Sequence, residues 1–235
     1  MNKTGLLYSV PRSEAELLEA KELFAGLREG SEPYIHIALD GMNAAECFLL
    51  GTDKSGAVEE VIFCFGGTGY VFKKDKKPEV FGEFSMTPGG VVSGAPLCAA
   101  EFNGKIPECG VPVRLLEGTE IIGAYELITG GKMTEGDSVR YVFRVRASNR
   151  GAARVFGAFN YKGILTATAS VVAENKKYAL IGDVFTAPDC RGKGLAGALC
   201  AECCRFSLSR GKTPWLLCEE KMLPFYENMG FKRIS

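Results

Sequence analysis

"DVFTAPDCRGKGLAGALC", residues 183–200, decides how the rest of the chain is read. A strand-like apolar run reaches Ala187-Pro188-Asp189, a basic glycine-rich turn follows, and a helix of small and apolar residues begins near Leu195. Glycines allow backbone paths closed to other residues and let a ligand approach the main chain closely. A turn that opens onto a helix start leaves several N–H groups free, and the helix dipole favours negative charge there. Arg191 and Lys193 add side-chain cations. The combination is an anion cradle suited to a pyrophosphate. It is not a Walker A loop, because no Ser or Thr follows the lysine to hold magnesium. It is not a dinucleotide fingerprint either, since the G-x-G-x-x-G spacing fails and the preceding strands read as a meander, not a βαβ unit.

On either side of this stretch the chain is legible. "RVFGAFNY", "ILTATASVVAE" and "YALIGDVFTA" are three strands, and the breaks "YKG" and "NKK" make them an antiparallel meander. A helix runs to about Ser209, "PWLLCE" is a strand, "KMLPFYENMG" a short helix and "FKRI" a last strand. The expected order is β-β-β-α-β-α-β. Before it, "AYELI" suggests a short helix, and "DSVRYVFRVRASNRG" an amphipathic helix capped by Asp137 or Ser138 and ending near Gly151. Its Arg140, Arg144, Arg146 and Arg150 are expected to form a solvated basic face and not a phosphate site.

The first half has a different texture. Ser13 and Glu16 form a capping box, with Leu17, Ala20, Phe24 and Leu27 at helical spacing. "YIHIAL", "ECFLLG", "VEEVIFCF" and "YVFKK" are short strands, joined in part by the hairpin-like "TDKSG" and "GGTG". No helix pattern follows "GGTG", so a tight hairpin is expected there and no phosphate loop. "KKDKK" reads as a solvated strand end. Thr87 to Glu117 is rich in Gly and Pro and reads as a hinge between halves.

Bulk properties narrow the function. The chain of 235 residues carries 28 Lys+Arg against 28 Asp+Glu, a formal net charge of zero. Such a chain has no general electrostatic pull toward nucleic acid or an acidic membrane, so an anionic ligand must be held locally. Its 46% hydrophobic and 24% charged residues are those of an ordinary soluble globular protein. No apolar run approaches the roughly 20 residues needed to cross a bilayer. "MNKTGLLYSVPRSEAELLEA" lacks a signal-peptide core, and a cytoplasmic location is expected, with reduced thiols. Of nine cysteines, Cys190, Cys200, Cys203 and Cys204 cluster around one helix. "CAECC" has a faint look of a metal motif, but there is no second Cys pair at zinc-finger spacing and the one histidine, His36, is far away in sequence. Helix packing is the expectation, with no metal site.

"RGKGLA", Arg191 to Ala196, resembles the R/Q-x-x-G-x-G/A signature of the GNAT superfamily of acyl-CoA N-acyltransferases. "VFTAP" resembles the end of that family's fourth strand. "FYENMGF", residues 225–231, resembles its later motif, a Tyr in a short helix followed by Gly-Phe. The two motifs are correctly ordered and spaced, and the resemblance covers roughly residues 118–235. It implies acetyl-CoA as co-substrate, its pyrophosphate on the backbone N–H groups of Arg191, Gly192, Lys193, Gly194, Leu195 and Ala196. It implies a pantetheine arm pairing with Val184, Phe185 and Thr186, in a groove where that strand splays from the next. A backbone N–H near Val184 or Phe185 would polarise the thioester carbonyl. Tyr226 would be the general acid that protonates the leaving thiolate. Asp183 is a candidate base, with Glu219, Glu220 and a water relay as alternatives.

Two departures from the family pattern stand out. No seventh strand is expected after "FKRI", where the family usually has one, and over a hundred residues precede the matched part. The expected fold is α/β (α+β), a GNAT-like mixed, mostly antiparallel sheet flanked by helices, with an N-terminal α/β extension. The expected division is an N-terminal region, 1–117, read as a degenerate half or an added sheet, and an acetyltransferase domain, 118–235. A strand from the first half, or from a second subunit, is expected to cover the edge of "FKRI". The expected activity is N-acetyl transfer to an unidentified amine. The alternative is a non-catalytic CoA-binding regulatory or partner-binding protein. Partners are then acetyl-CoA and the acceptor, not nucleic acid or membrane, with a homodimer left open.

Overall fold

A computed structural model describes residues 6–9, 47–65, 68–74, 76, 79–86, 92–132, 153–174 and 177–234. The expected helices at 13–27 and 137–151, the run "YIHIAL" and His36 lie outside the described residues. Two compact units emerge, one of residues 1–98 with 219–221 and 235, the other of residues 99–218 with 222–234.

The first unit is an antiparallel succession of strands. They are β1 (Leu7–Ser9), β2 (Cys47–Thr52), β3 (Val58–Phe65), β4 (Thr68–Lys73), β5 (Glu79–Met86) and the opening part of β6 (Val92–Phe102). Strands β2 to β4 answer the apolar runs expected there. Phe65 pairs with Thr68, the register of the tight hairpin expected at "GGTG". One cross-strand row is polar: Tyr8 lies opposite Gly51, Gly51 opposite Glu60, and Glu60 opposite Lys73. A Cβ at Gly51 would stand 3.0 Å from Tyr8 Cε1, so the glycine leaves room for Tyr8 to cross it. Its hydroxyl donates to Glu60 Oε2 at 2.5 Å, and Lys73 Nζ lies 3.8 Å from Glu60 Oε1 while donating to Glu79 at 3.1 Å. This is how the unit keeps a buried carboxylate partnered. Lys73 and Lys74 ion-pair with Glu79 and Glu59, which accounts for the basic run as a strand end.

The expected hinge at 87–117 requires correction, because residues 92–102 form an 11-residue strand. Gly94 and Pro96 give the segment the look of a turn. Cys98, Ala99 and Ala100 are consecutive and all buried. A strand covered on both faces has no alternation to betray it, and its small residues lack the β-branched signature.

In the second unit, β7 (Arg114–Leu115), β8 (Arg154–Phe159), β9 (Leu165–Glu174) and β10 (Tyr178–Thr186) pair antiparallel in sequence order. Helix α1 (Glu120–Thr129) is longer than the "AYELI" signal. It covers the sheet with Ile121, Ala124 and Tyr125, which cluster with Leu116 and Val155. Arg114 and Glu120 form a bidentate pair at 2.8 and 2.6 Å, which holds the Glu120 carboxyl at about 2. Helix α2 (Leu195–Ser209) packs on β8, β9 and β10 through Ala198, Cys200, Ala201, Cys203, Cys204 and Ser207. Those small side chains let helix and sheet approach closely. Strand β11 (Thr213–Glu219) runs parallel to β10, with Trp215 fully buried beside Leu180 in register. Helix α3 (Leu223–Glu227) and β12 (Phe231–Arg233) complete the expected β-β-β-α-β-α-β order.

The result is a mixed, mostly antiparallel sheet flanked by few helices. Strand β12 does not form a bare edge: Phe231, Lys232 and Arg233 pair with Phe102, Glu101 and Ala100 of β6, which also neighbours β11. The strand that covers "FKRI" thus comes from upstream, one of the two alternatives expected.

Candidate active site

Two interruptions of regular pairing make the site. The first is a β-bulge. Gly182 pairs with Ser170 and Phe185 with Thr168, so Asp183 and Val184 together oppose the single residue Ala169. Asp183 takes up the distortion with φ of 54°, a left-handed conformation that Asp tolerates better than most residues. The second is a divergence. Strands β10 and β11 pair from Tyr178↔Thr213 to Ile181↔Leu216 and no further. Beyond Ile181, β10 carries backbone groups toward a groove instead of a neighbour.

The chain then turns. Pro188–Cys190 is a single 3₁₀ turn. Gly192 and Gly194 have φ of 74° and 75°, and Gly194 caps the start of α2. A Cβ built on either glycine would meet nothing within 4 Å. The glycines therefore serve the left-handed path and leave the space above the turn open. The two cations fold back: Arg191 Nε donates to the Thr186 carbonyl at 3.3 Å, and Lys193 Nζ to the Asp189 carbonyl at 3.2 Å.

Strand end, turn and short helix converge on one cleft of about 570 Å³. Of the residues expected from sequence, Val184, Phe185, Thr186, Arg191, Gly192, Gly194, Leu195, Ala196 and Tyr226 line it. Lys193 and Asp183 are not among the lining residues. Cys190, expected only to pack, lines it as well, as do Gly197, Met222 and Phe225, none of which was expected at the site. Phe225 was inside the quoted motif. Met222 lies one helical turn before Tyr226, a spacing that would have flagged it. Glu219 is exposed and pairs with Lys221 at 2.6 Å, and Glu220 is exposed.

Tyr226 is 7% exposed, its ring edge-on to Phe225 at 5.0 Å and Phe231 at 6.0 Å. Burial, reinforced by the nearby Cys200 and Cys218, pushes its phenol well above the ordinary tyrosine range. At neutral pH it keeps its proton. Burial likewise raises the Cys200 thiol to about 12, with Cys109 adding to it, and raises Cys203 and Cys204. All three are free, buried thiols in the packed face of α2, as the packing reading expected; the fourth, Cys190, departs from it, half-buried in the 3₁₀ turn and lining the cleft. Among the described residues no group of three or more His, Cys, Asp or Glu could hold a metal ion, and no helix is long and apolar enough to cross a membrane.

Residues 106–231 match the family model described as acetyltransferase (GNAT) family, more than half of the chain. The chain belongs to the GNAT acetyltransferase family. It is similar to a glucosamine 6-phosphate N-acetyltransferase of Trypanosoma brucei brucei, at 31% identity over 131 residues, covering 51% of this chain and 88% of that protein. A solved GNAT acetyltransferase from Colwellia psychrerythraea superposes over 97% of this chain and 96% of its own, with TM-score 0.60 and 13% identity. That likeness is one of fold, and it extends across both units. A solved Trypanosoma brucei acetyltransferase aligns over 52% of this chain and 92% of its own, at 27% identity and TM-score 0.44. Apart from Glu219–Lys221, the GNAT match falls in the second unit, where the cleft is.

Proposed function

We propose that this GNAT N-acetyltransferase moves an acetyl group from acetyl-CoA to an amine by direct attack on the thioester. The observation that carries this reading is the convergence of the β10 end, the glycine turn and Tyr226 on one cleft. The pyrophosphate would rest on the N–H groups from Gly192 to Ala196 at the start of α2, where the dipole favours an anion; the Arg191 N–H, also expected to serve, donates to the Pro188 carbonyl at 3.2 Å instead. Arg191 and Lys193 would add positive charge at its rim. The arm of the donor would extend along Val184, Phe185 and Thr186, where β10 has parted from β11. A backbone N–H at the bulge, where Val184 falls out of the β9 register while Phe185 is paired with Thr168, would polarise the thioester carbonyl. A neutral amine attacks, the tetrahedral intermediate collapses, and the C–S bond breaks. Tyr226 meets the departing thiolate with its retained proton, first as a hydrogen-bond donor and then as the acid. The amine proton would pass to water or to Asp183, which sits at the bulge but does not line the cleft.

The acceptor proposed for first trial is glucosamine 6-phosphate, on the strength of the 31% identical relative. Incubating the protein with acetyl-CoA and a series of primary amines headed by this sugar tests the reading. Thiol release that depends on the amine, with the acetylated amine identified by mass, is expected. Binding of acetyl-CoA with no transfer to any amine would favour a CoA-binding regulator instead.

A further inference from the structure

Met222, Phe225 and Tyr226 succeed one another along one face of the 3₁₀ turn Glu220–Met222 and α3, and all three line the cleft. Exposure grades along that face. Tyr226 is 7% exposed, Phe225 is half-buried, and Met222 is 41% exposed. The glycine turn across the cleft is exposed as well. The deep end therefore lies at Tyr226, and Met222 belongs to the mouth. Among the described residues the other exposed large apolar side chains, Leu7, Tyr161, Ile164 and Leu208, line no part of this cleft. Met222 is the one whose apolar surface faces a space that the rest of the site has shaped.

We propose that Met222 is the apolar flap of the donor cleft. It folds over the thioester's extended arm, between the phosphates at the glycine turn and the sulfur at Tyr226. The assignment rests on the donor-cleft reading above. A thioether on an unbranched stem suits the task, because it conforms to an irregular partner without a fixed rotamer. Leu195, half-buried at the first position of α2, faces the same cleft and offers an opposing apolar surface. The flap holds the arm in place and excludes water from it, so Met222 is a positioning residue and takes no part in bond making.

Oxidative footprinting reads this contact without any acceptor. Hydrogen peroxide gives one oxygen atom to the Met222 sulfur, which loses two electrons; the products are the sulfoxide and water. With saturating acetyl-CoA, Met222 oxidation is expected to fall several-fold. Adenosine 3′,5′-bisphosphate, a phosphate probe with no arm, should give no protection. Met229, 6% exposed, serves as the internal standard and should stay reduced in all samples. By calorimetry, Met222→Ala should weaken acetyl-CoA about tenfold, the scale of one apolar side chain leaving its contact. Met222→Leu should restore most of that loss, and the bisphosphate should bind both variants as it binds wild type. If acetyl-CoA binds wild type yet leaves Met222 as oxidisable as before, the flap is refuted and the donor cleft stands. If the bisphosphate alone protects Met222, the side chain covers the phosphates and the arm assignment fails. If wild type binds no acetyl-CoA, the donor-cleft reading falls and the flap with it.

Discussion

The first unit's strands and the second unit's strands use the same antiparallel pairing to different ends. In the first, β2, β3 and β4 remain paired from one hairpin to the next, with one register shift between Gly51 and Thr52 that opens no cleft among the described pockets, and the buried Glu60 is answered by Tyr8 and Lys73 across the sheet. In the second, β10 bulges at Asp183 and parts from β11 after Ile181. The cleft opens where pairing stops. Backbone groups released from a ladder must find another partner, and a ligand with its own donors and acceptors can supply one. The chemistry of this chain is therefore sought at defects in a sheet, and a well-paired sheet needs no ligand to be complete.

The comparison breaks most sharply at Tyr226. Tyr226→Phe keeps the ring packing on Phe225 and Phe231 and removes the proton. Turnover with a working acceptor should fall about 10²–10⁴-fold, with acetyl-CoA affinity and melting temperature near wild type. Steady-state kinetics that leave turnover intact would remove Tyr226 as the acid. Next in size is Gly194→Val. A β-branched residue abandons the left-handed conformation, which costs roughly 1–2 kcal/mol to restore, and the turn's N–H groups swing away. Acetyl-CoA binding by calorimetry should weaken about tenfold or more, since 1.4 kcal/mol is a factor of ten. A matching Gly51→Val change in the first unit should lower the melting temperature by crowding Tyr8 and leave no such mark on binding.

How much of this was readable in advance depends on what each segment must bury. Strands β3, β8, β9 and β10 announce themselves through apolar runs bounded by turn residues, and the glycine turn and Tyr226 through motif spacing. Strand β6 hides behind Gly94, Pro96 and a run of small buried residues. Strand β7 is two residues long, too short for any period to show. The bulge is invisible because Asp183 has the same side chain in any backbone conformation. Its left-handed φ is one that Asp tolerates but does not require. Met222 carries a weaker signal: its place one helical turn before Tyr226 puts it on the same face, but a methionine before a short helix also reads as core, and its exposure inside a cleft decides between the two.

Packing in the second unit offers a middle-sized test. A Cβ at Gly104 would stand 2.6 Å from Gly230 Cα, and Asn103 N–H donates to the Gly230 carbonyl at 2.9 Å beside it. Gly104→Ala must push two backbones apart. A loss of about 1–3 kcal/mol is expected, read by denaturant unfolding; an unchanged midpoint would mean that the crossing yields freely.

Alkaline pH gives a smaller and more gradual effect. Cys200, Cys203, Cys204 and Tyr226 all have values raised by burial in the folded state. The unfolded thiols ionise near 8.5, so the stability these groups confer is complete below that pH. It drains away as pH rises, because the unfolded chain then holds fewer protons than the folded one. Melting temperature should decline between about pH 8.5 and the folded Cys200 value of about 12. Cys203→Ala should flatten the decline. The least effect is expected from Glu120→Gln. Its pair with Arg114 is exposed, and solvent screens it. The wild type should lose this contribution only as pH falls from the ordinary glutamate range through about 2, and at neutral pH the two melting curves should nearly coincide.

The pairing of β6 with β12 bears on how the molecule is made. Phe102 and Phe231 meet in register, their rings 5.4 Å apart, although the ribosome produces them well over a hundred residues apart. That contact is among the least local the fold contains, and closing so long a loop delays it relative to the hairpins. During synthesis the meander of β8, β9 and β10 is complete while the end of β6 still waits for its neighbour. A growing chain therefore presents the end of β6, from Ala100 to Phe102, with one edge unpaired until β12 emerges. This protein's exposure to misassembly is concentrated in that interval.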